Sequence, residues 1–331
     1  MERQRNNNID LIKFIAIFMV ILLHFFVYTG FYDLNRVDSI SIISFILKQI
    51  AVICVPLFMM TTGYLMNKKE VSKKYFNKLL NTILTYVVIS VICMFFLKYI
   101  LCEQISFFQL IMGVFTFKTI KYSWYINMYI GLYLLLPFLN IIVDRVKENK
   151  RIFIYLIILL SMFTSIPKFY DLWYWGKILY PINYYFIGAY FKYYSVDIKK
   201  YWFLIIFICI LFTELLISIV LGMNFHVFSD NNIIFNLIKS VSVFSFFLSL
   251  KIDNNIIIQK ISRHTLSIYL VSFIIDSLVY KYFNMIFITY KIRFFNIYIV
   301  FIIFILSIFF ALFIDFIIGI MIKKIFVSVG D

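Results

Sequence analysis

The sequence predicts an all-α integral membrane protein of about ten transmembrane helices with both termini cytoplasmic. Three observations predict it. Hydrophobic residues make up 64% of the 331 and charged residues only 14%, at a mean hydropathy of +0.97; soluble domains average about 45–50% and about 25%. The apolar residues gather in runs near the length, about 20 residues, that carries a helix across a hydrocarbon core of about 30 Å. Lys and Arg crowd alternate loops, as the positive-inside rule describes.

The runs lie at 9–31, 41–66, 79–101, 123–143, 151–167, 178–194, 201–222, 233–251, 264–288 and 294–322. Arg3 and Arg5 precede the first, which carries Asp10 and Lys13, is too long for a cleavable signal and reads as a retained span. Lys68, Lys69, Lys73, Lys74 and Lys78 separate the second and third runs. The stretch 106–117 is apolar but too short to cross, and reads as interfacial or re-entrant. Arg145, Lys147, Lys150 and Arg151 divide the fourth from the fifth, and Lys192, Lys199 and Lys200 the sixth from the seventh. Lys251, Lys260 and Arg263 precede the ninth, and Lys323 and Lys324 follow the tenth. With the N-terminus inside, cytoplasmic segments hold 19 Lys and Arg and external segments 9. No linker or repeat is evident, so residues 1–331 read as one polytopic domain.

The net charge of +15 is explained by this loop bias, and no nucleic-acid partner is expected. Cys54, Cys93, Cys102 and Cys209 show neither a CxxC nor a Cys/His spacing suited to a metal. They read as packing residues, and no metal is expected.

Charged residues inside a span cost about 2.5–3.5 kcal/mol on insertion scales, so each invites a functional hypothesis. The first run carries Asp10, Lys13 and His24. Lys13 and His24 fall within about 20° of one helical face, roughly 16 Å apart along the axis. The plain reading makes Asp10 and Lys13 a pair at the helix entrance and His24 a packing residue. By depth, Glu214, Asp276, Lys48 and Lys239 belong with His24 in one polar layer of the outer half. There they either neutralise one another or line a watered pocket in which an acid orients His24. Asp315 carries no assigned role. Tyr122, Trp124, Tyr125 and Trp173–Trp175 near external ends read as interfacial anchors or as platforms for sugar rings.

These residues also resemble the integral-membrane acyltransferase 3 family. The family's first helix reads Asp-x-x-Arg, ten residues, then His; here it is Asp10, Lys13 and His24. Its Pro-x-Phe-Phe-x-x-Ser-Gly-Tyr-Leu pattern is similar to Pro56 through Leu65, which includes Gly63 and Tyr64. Trp124-Tyr125 through Pro137, Tyr185-Phe186-Ile187-Gly188 and Thr265 through Val271 resemble three further motifs in the family's order. Three positions depart from it. Lys13 lacks the planar fork of Arg, so bidentate recognition there is lost. Ser123 and Ser272 stand where many members have His.

The resemblance implies transfer of an acyl group, often acetyl, from cytoplasmic acyl-CoA to a hydroxyl of an extracytoplasmic polysaccharide or glycan, in the plasma membrane. Acyl-CoA is then a donor substrate, and no permanently bound cofactor is expected. Its phosphates would meet Lys68, Lys69, Lys73, Lys74 and Lys78, with Lys13 just inside the entrance. His24 would act as general base or carry the acyl group, oriented by Glu214 or Asp276. Trp124, Tyr125 and Tyr133 would bind the acceptor. Competing readings are a transporter or flippase for an envelope glycan precursor and a membrane sensor. The first lacks repeat symmetry and Gly/Pro-interrupted paired helices; the second needs no His at this depth.

Overall fold

The computed structural model describes residues 5–34, 38–102, 104, 106–165, 173–195, 199–221 and 228–328. Among them it is helical, with no strand. The helices are α1 (Asn7–Tyr28), α2 (Ser39–Ala51), α3 (Cys54–Met66), α4 (Lys73–Phe95), α5 (Phe107–Phe115), α6 (Trp124–Val146), α7 (Lys150–Ser165), α8 (Trp173–Tyr193), α9 (Lys200–Val220), α10 (Ile234–Leu248), α11 (Ile256–Arg263), α12 (Thr265–Ile286), α13 (Tyr290–Phe295) and α14 (Ile299–Ser328).

Helices coincide with all ten apolar runs, and seven spans among the described residues are long and apolar enough to cross a membrane. α7 and α10, with 16 and 15 residues, fall short of that length. In lipid, helices satisfy their own backbone groups internally, which is why apolar runs take this form. The face they turn outward matches: Phe309, Phe313 and Phe316 of α14 are all more than half exposed. The second run is two helices rather than one. Pro56 has no N–H, and its ring crowds the carbonyl of Val52, so the helix breaks at Val52–Ile53, between α2 and α3. The stretch 106–117 contains the short helix α5, started by a capping box of Ser106 and Gln109.

The chain divides into two compact units, each assembled from two separated stretches: 1–70 with 135–262, and 71–134 with 263–331. α6 contributes its first part to the second unit and the remainder to the first.

In the first unit α1 packs against α2, α3 and α10, while α3 lies along α8, and α9 runs beside α10 and α2. The α3–α8 contact is backbone on backbone. A Cβ at Gly63 would meet the carbonyl oxygen of Tyr185 at 1.9 Å, and one at Gly188 the carbonyl oxygen of Met60 at 1.9 Å. Small residues allow such approach, and in membranes they drive helix association. Gly188→Ala therefore destabilises the first unit by about 1–3 kcal/mol through overpacking, read as a lowered thermal midpoint in detergent. A midpoint equal to that of the unmodified protein would show that the helices do not touch there.

In the second unit α12 packs on α4 and α14, and Tyr86 Oη donates to Val114 O at 2.8 Å, fastening α5 to α4. Pro137 lies inside α6, in the part belonging to the first unit, and having no N–H it leaves the carbonyl of Tyr133 without its usual helical donor. The hydroxyl of Tyr75 supplies that hydrogen bond, and Tyr133 Oη returns one to Tyr75 O at 3.1 Å.

Candidate active site

α1 begins where Asn6 caps it, accepting from the backbone N–H groups of Asn8 and Ile9. Asn8 Nδ2 in turn donates to the carbonyls of Phe247, Leu248 and Leu250 at 2.7–3.1 Å. Those carbonyls lie in the last turn of α10 and just beyond it, where helical acceptors run short of donors, so one amide ties the start of α1 to the end of its neighbour.

One turn further in, Asp10 is buried. Arg5 reaches it with Nε 2.5 Å from Oδ2 and Nη2 3.1 Å from Oδ1, a two-point contact of the kind only a guanidinium makes. Ser262 Oγ donates to Asp10 Oδ1 at 2.6 Å, and Arg5 Nη2 also reaches Gln259 O at 2.7 Å. Lys13 Nζ donates to the carbonyl of Ser262. The entrance of α1 is thus a charged clasp onto α11. The expected partnership of Asp10 and Lys13 becomes one of Asp10 with Arg5, because the residues ahead of the cap fold back over the first turn. Sequence reading missed Arg5 and Ser262. Arg5 was legible only as a topology charge, and Ser262 carries no signal of its own.

His24 stands half-buried in the last third of α1, on the helix that three others surround. Ala16, Ile17, Val20 and Ile21 below it are buried against those neighbours.

Of the acids and lysines expected in one layer with His24, Glu214 and Lys239 neutralise each other, one of the two arrangements expected of them. Glu214 and Lys239 are both fully buried, with Lys239 Nζ 2.7 Å from Glu214 Oε2. Lys239 also donates to Gln49 O at 3.0 Å, which joins α9, α10 and α2. Glu214 therefore holds a lysine, and its expected role of orienting an imidazole is corrected: Lys239 arrives from the adjacent helix with stronger charge complementarity. Lys48 Nζ donates to Ser229 Oγ at 2.6 Å. Asp276 belongs to the second unit, where Tyr122 Oη donates to its Oδ2 at 2.8 Å.

The second unit also arranges the aromatic residues. Spacing of four along α6 puts Tyr125, Tyr129 and Tyr133 on one face, with ring centroids 6.3 and 5.9 Å apart. Tyr75 continues the column by stacking on Tyr133 at 4.5 Å, and Tyr269 joins beside Tyr125 at 5.3 Å. Trp124 lies against Tyr125 at the other end, 6.2 Å away and about half exposed. The predicted Tyr125 and Tyr133 are thus brought together, through Tyr129, which the sequence did not single out. Lys73, Lys74 and Lys78 are exposed in the first turns of α4. The side chains of Trp173–Trp175 lie outside the described residues.

Two further groups come together unforeseen. His264 Nδ1 lies 2.5 Å from Asp315 Oδ2, and Ser267 Oγ donates to Asp315 Oδ1 at 2.6 Å. This gives Asp315 its partners, as an acid in an apolar helix requires. Among the described residues, no cluster of three or more His, Cys, Asp or Glu side chains suited to a metal ion is found.

A family model described as an acyltransferase domain, that of the acyltransferase 3 family, matches residues 6–316. No curated protein and no solved structure matches the chain.

Proposed function

The chain belongs to the acyltransferase 3 family and is a membrane acyltransferase, and from that premise we propose that it moves an acetyl group from cytoplasmic acetyl-CoA to a hydroxyl of an extracytoplasmic polysaccharide or glycan. The match over residues 6–316 carries this reading. The plasma membrane, ten crossings and cytoplasmic termini complete it, on the distribution of Lys and Arg.

In this reading Lys73, Lys74 and Lys78 steer the donor's phosphates, and Lys13 sits where the pantetheine arm enters along α1. His24 is the general base. Its imidazole removes the proton from the acceptor hydroxyl while that oxygen attacks the thioester carbonyl. The C–O bond forms, the C–S bond breaks, and the departing thiolate takes the proton back from the imidazolium. The clasp of Arg5, Asp10 and Ser262 fixes the height and rotation of α1, and with them the position of His24. Trp124 and Tyr125 offer ring faces to the sugar, with Asp276 fixing the hydroxyl of Tyr122; Tyr133, expected to bind the acceptor, is instead buried, its ring stacked on Tyr75 and its hydroxyl donated to Tyr75 O.

Sealed vesicles holding the protein, glycan acceptor on one side and labelled acetyl-CoA on the other, test this. Label is expected in glycan esters. Glycan carried across the membrane without label would replace the enzyme with a flippase.

A further inference from the structure

The first unit contains a cavity of about 420 Å³ at the ends of α1, α3, α8 and α10, within the range of small-molecule sites. Its walls have two characters. Phe191 and Phe203 form an apolar side, and Asn6, Tyr64, Lys192 and Ser245 a polar one. Lys192 Nζ stands 4.6 Å over the ring of Tyr64, so a cation–π contact restrains the charge at the wall. Tyr64 is itself fixed by Asn6, whose Nδ2 donates to its hydroxyl at 3.1 Å. Three more lysines gather on the tyrosines that border the cavity: Lys68 and Lys147 over Tyr193 at 5.5 and 5.8 Å, and Lys150 over Tyr194 at 5.9 Å. Ser245 Oγ is buried at this wall and makes no hydrogen bond among the described residues. A serine in a helix ordinarily bonds back to the preceding turn or to water. Here a polar group is kept in place with an acceptor missing.

We propose that this cavity binds the phosphorylated adenosine end of the thioester donor, with the purine against Phe191 and Phe203 and its phosphates met by Lys192 and Ser245. The proposal rests on the acyltransferase reading, which supplies the donor, and assigns the nucleotide to residues other than the lysines of α4. Four lysines beside an aromatic slot suit a polyanion carrying a flat ring. A lipid headgroup brings phosphate but no flat ring to lie against Phe191 and Phe203. The cavity lies at the end of the unit where Lys68, Lys147, Lys150 and Lys192 cluster, the end that the charge count places in the cytoplasm.

The experiment measures binding of unacylated CoA to the full-length protein in phosphatidylcholine nanodiscs, with adenosine 3′,5′-bisphosphate as competitor. CoA is expected to bind and the bisphosphate to displace it. Lys192→Gln is expected to weaken CoA by about tenfold, the scale of one lost charge-assisted contact. Ser245→Ala weakens it less, and Lys192→Arg restores it. In acyl transfer, Lys192→Gln raises the donor's KM and leaves kcat in place. Equal CoA affinity in wild type and both loss variants would overturn the pocket, as would failure of the bisphosphate to compete. So would a Lys192→Gln effect that shows only as lost phosphatidylglycerol binding in mixed nanodiscs. Transfer by the wild type with donor KM unmoved in Lys192→Gln would end this proposal alone. Binding of CoA that responds to the variants, with no transfer to any glycan, would support the pocket and end the enzymatic reading.

Discussion

His24→Ala is expected to lower acyl transfer by about 10²–10⁴-fold, the usual worth of a positioned histidine base. The protein should still insert and fold. The side chain is half-buried, and the Arg5–Asp10–Ser262 clasp and the bonding of Asn8 to the end of α10 remain to place α1. His24→Gln preserves hydrogen bonding and much of the volume but cannot accept a proton at neutral pH, so it should be equally inactive. That pairing separates chemistry from packing: a packing role would be largely restored by glutamine, a proton-accepting role would not. Initial rates of labelled acetyl transfer, normalised to correctly inserted protein, provide the measurement. An Ala variant working at the wild-type rate would remove His24 from the reaction.

The largest effect on stability is expected at Lys239. Lys239→Met leaves Glu214 fully buried with its charged partner gone, and removing one member of such a pair costs about 3–5 kcal/mol. The loss extends beyond the pair, because Lys239 also donates to Gln49 O and thereby holds α2 against α9 and α10. The double variant Lys239→Met with Glu214→Leu should recover most of the deficit, since apolar replacements of similar volume remove the uncompensated carboxyl along with its partner. Thermal unfolding in detergent of the two single variants and the double one tests this. A double variant no more stable than the singles would mean that the ion pair is not what the singles disrupt. With Gly188→Ala, these variants divide the first unit's stability between electrostatic and steric contributions.

Much of this was readable beforehand, and particular residues show where reading stopped. Pro56 and Gly188 stood in recognised motifs, yet the break at Val52–Ile53 follows from Pro56 by local stereochemistry, whereas the need for Gly188 depends on a carbonyl of Met60, more than a hundred residues earlier. Tyr125 and Tyr133 share a helical face by spacing alone. Tyr75 joins them only because Pro137 frees the Tyr133 carbonyl and α4 supplies a hydroxyl to it. Asp10, Glu214 and Asp315 each announced that a partner was required. Depth along a span narrowed the candidates but did not choose among them: Glu214 stood between neutralising a lysine and orienting an imidazole, and a lysine of the next helix holds it.

The sequence by itself determined the helices, the family and the residues that must be partnered, because apolar runs, proline stereochemistry and the penalty for charge in hydrocarbon act locally on each segment. Only the tertiary structure decided which partner each received. Arg5 with Asp10, Lys239 with Glu214 and His264 with Asp315 come together through the packing of helices, and hydrophobicity in a membrane is the same for every helix face turned to lipid. Specific pairing there depends on close backbone approach and on hydrogen bonds between residues far apart in the chain, quantities that no window along the sequence contains.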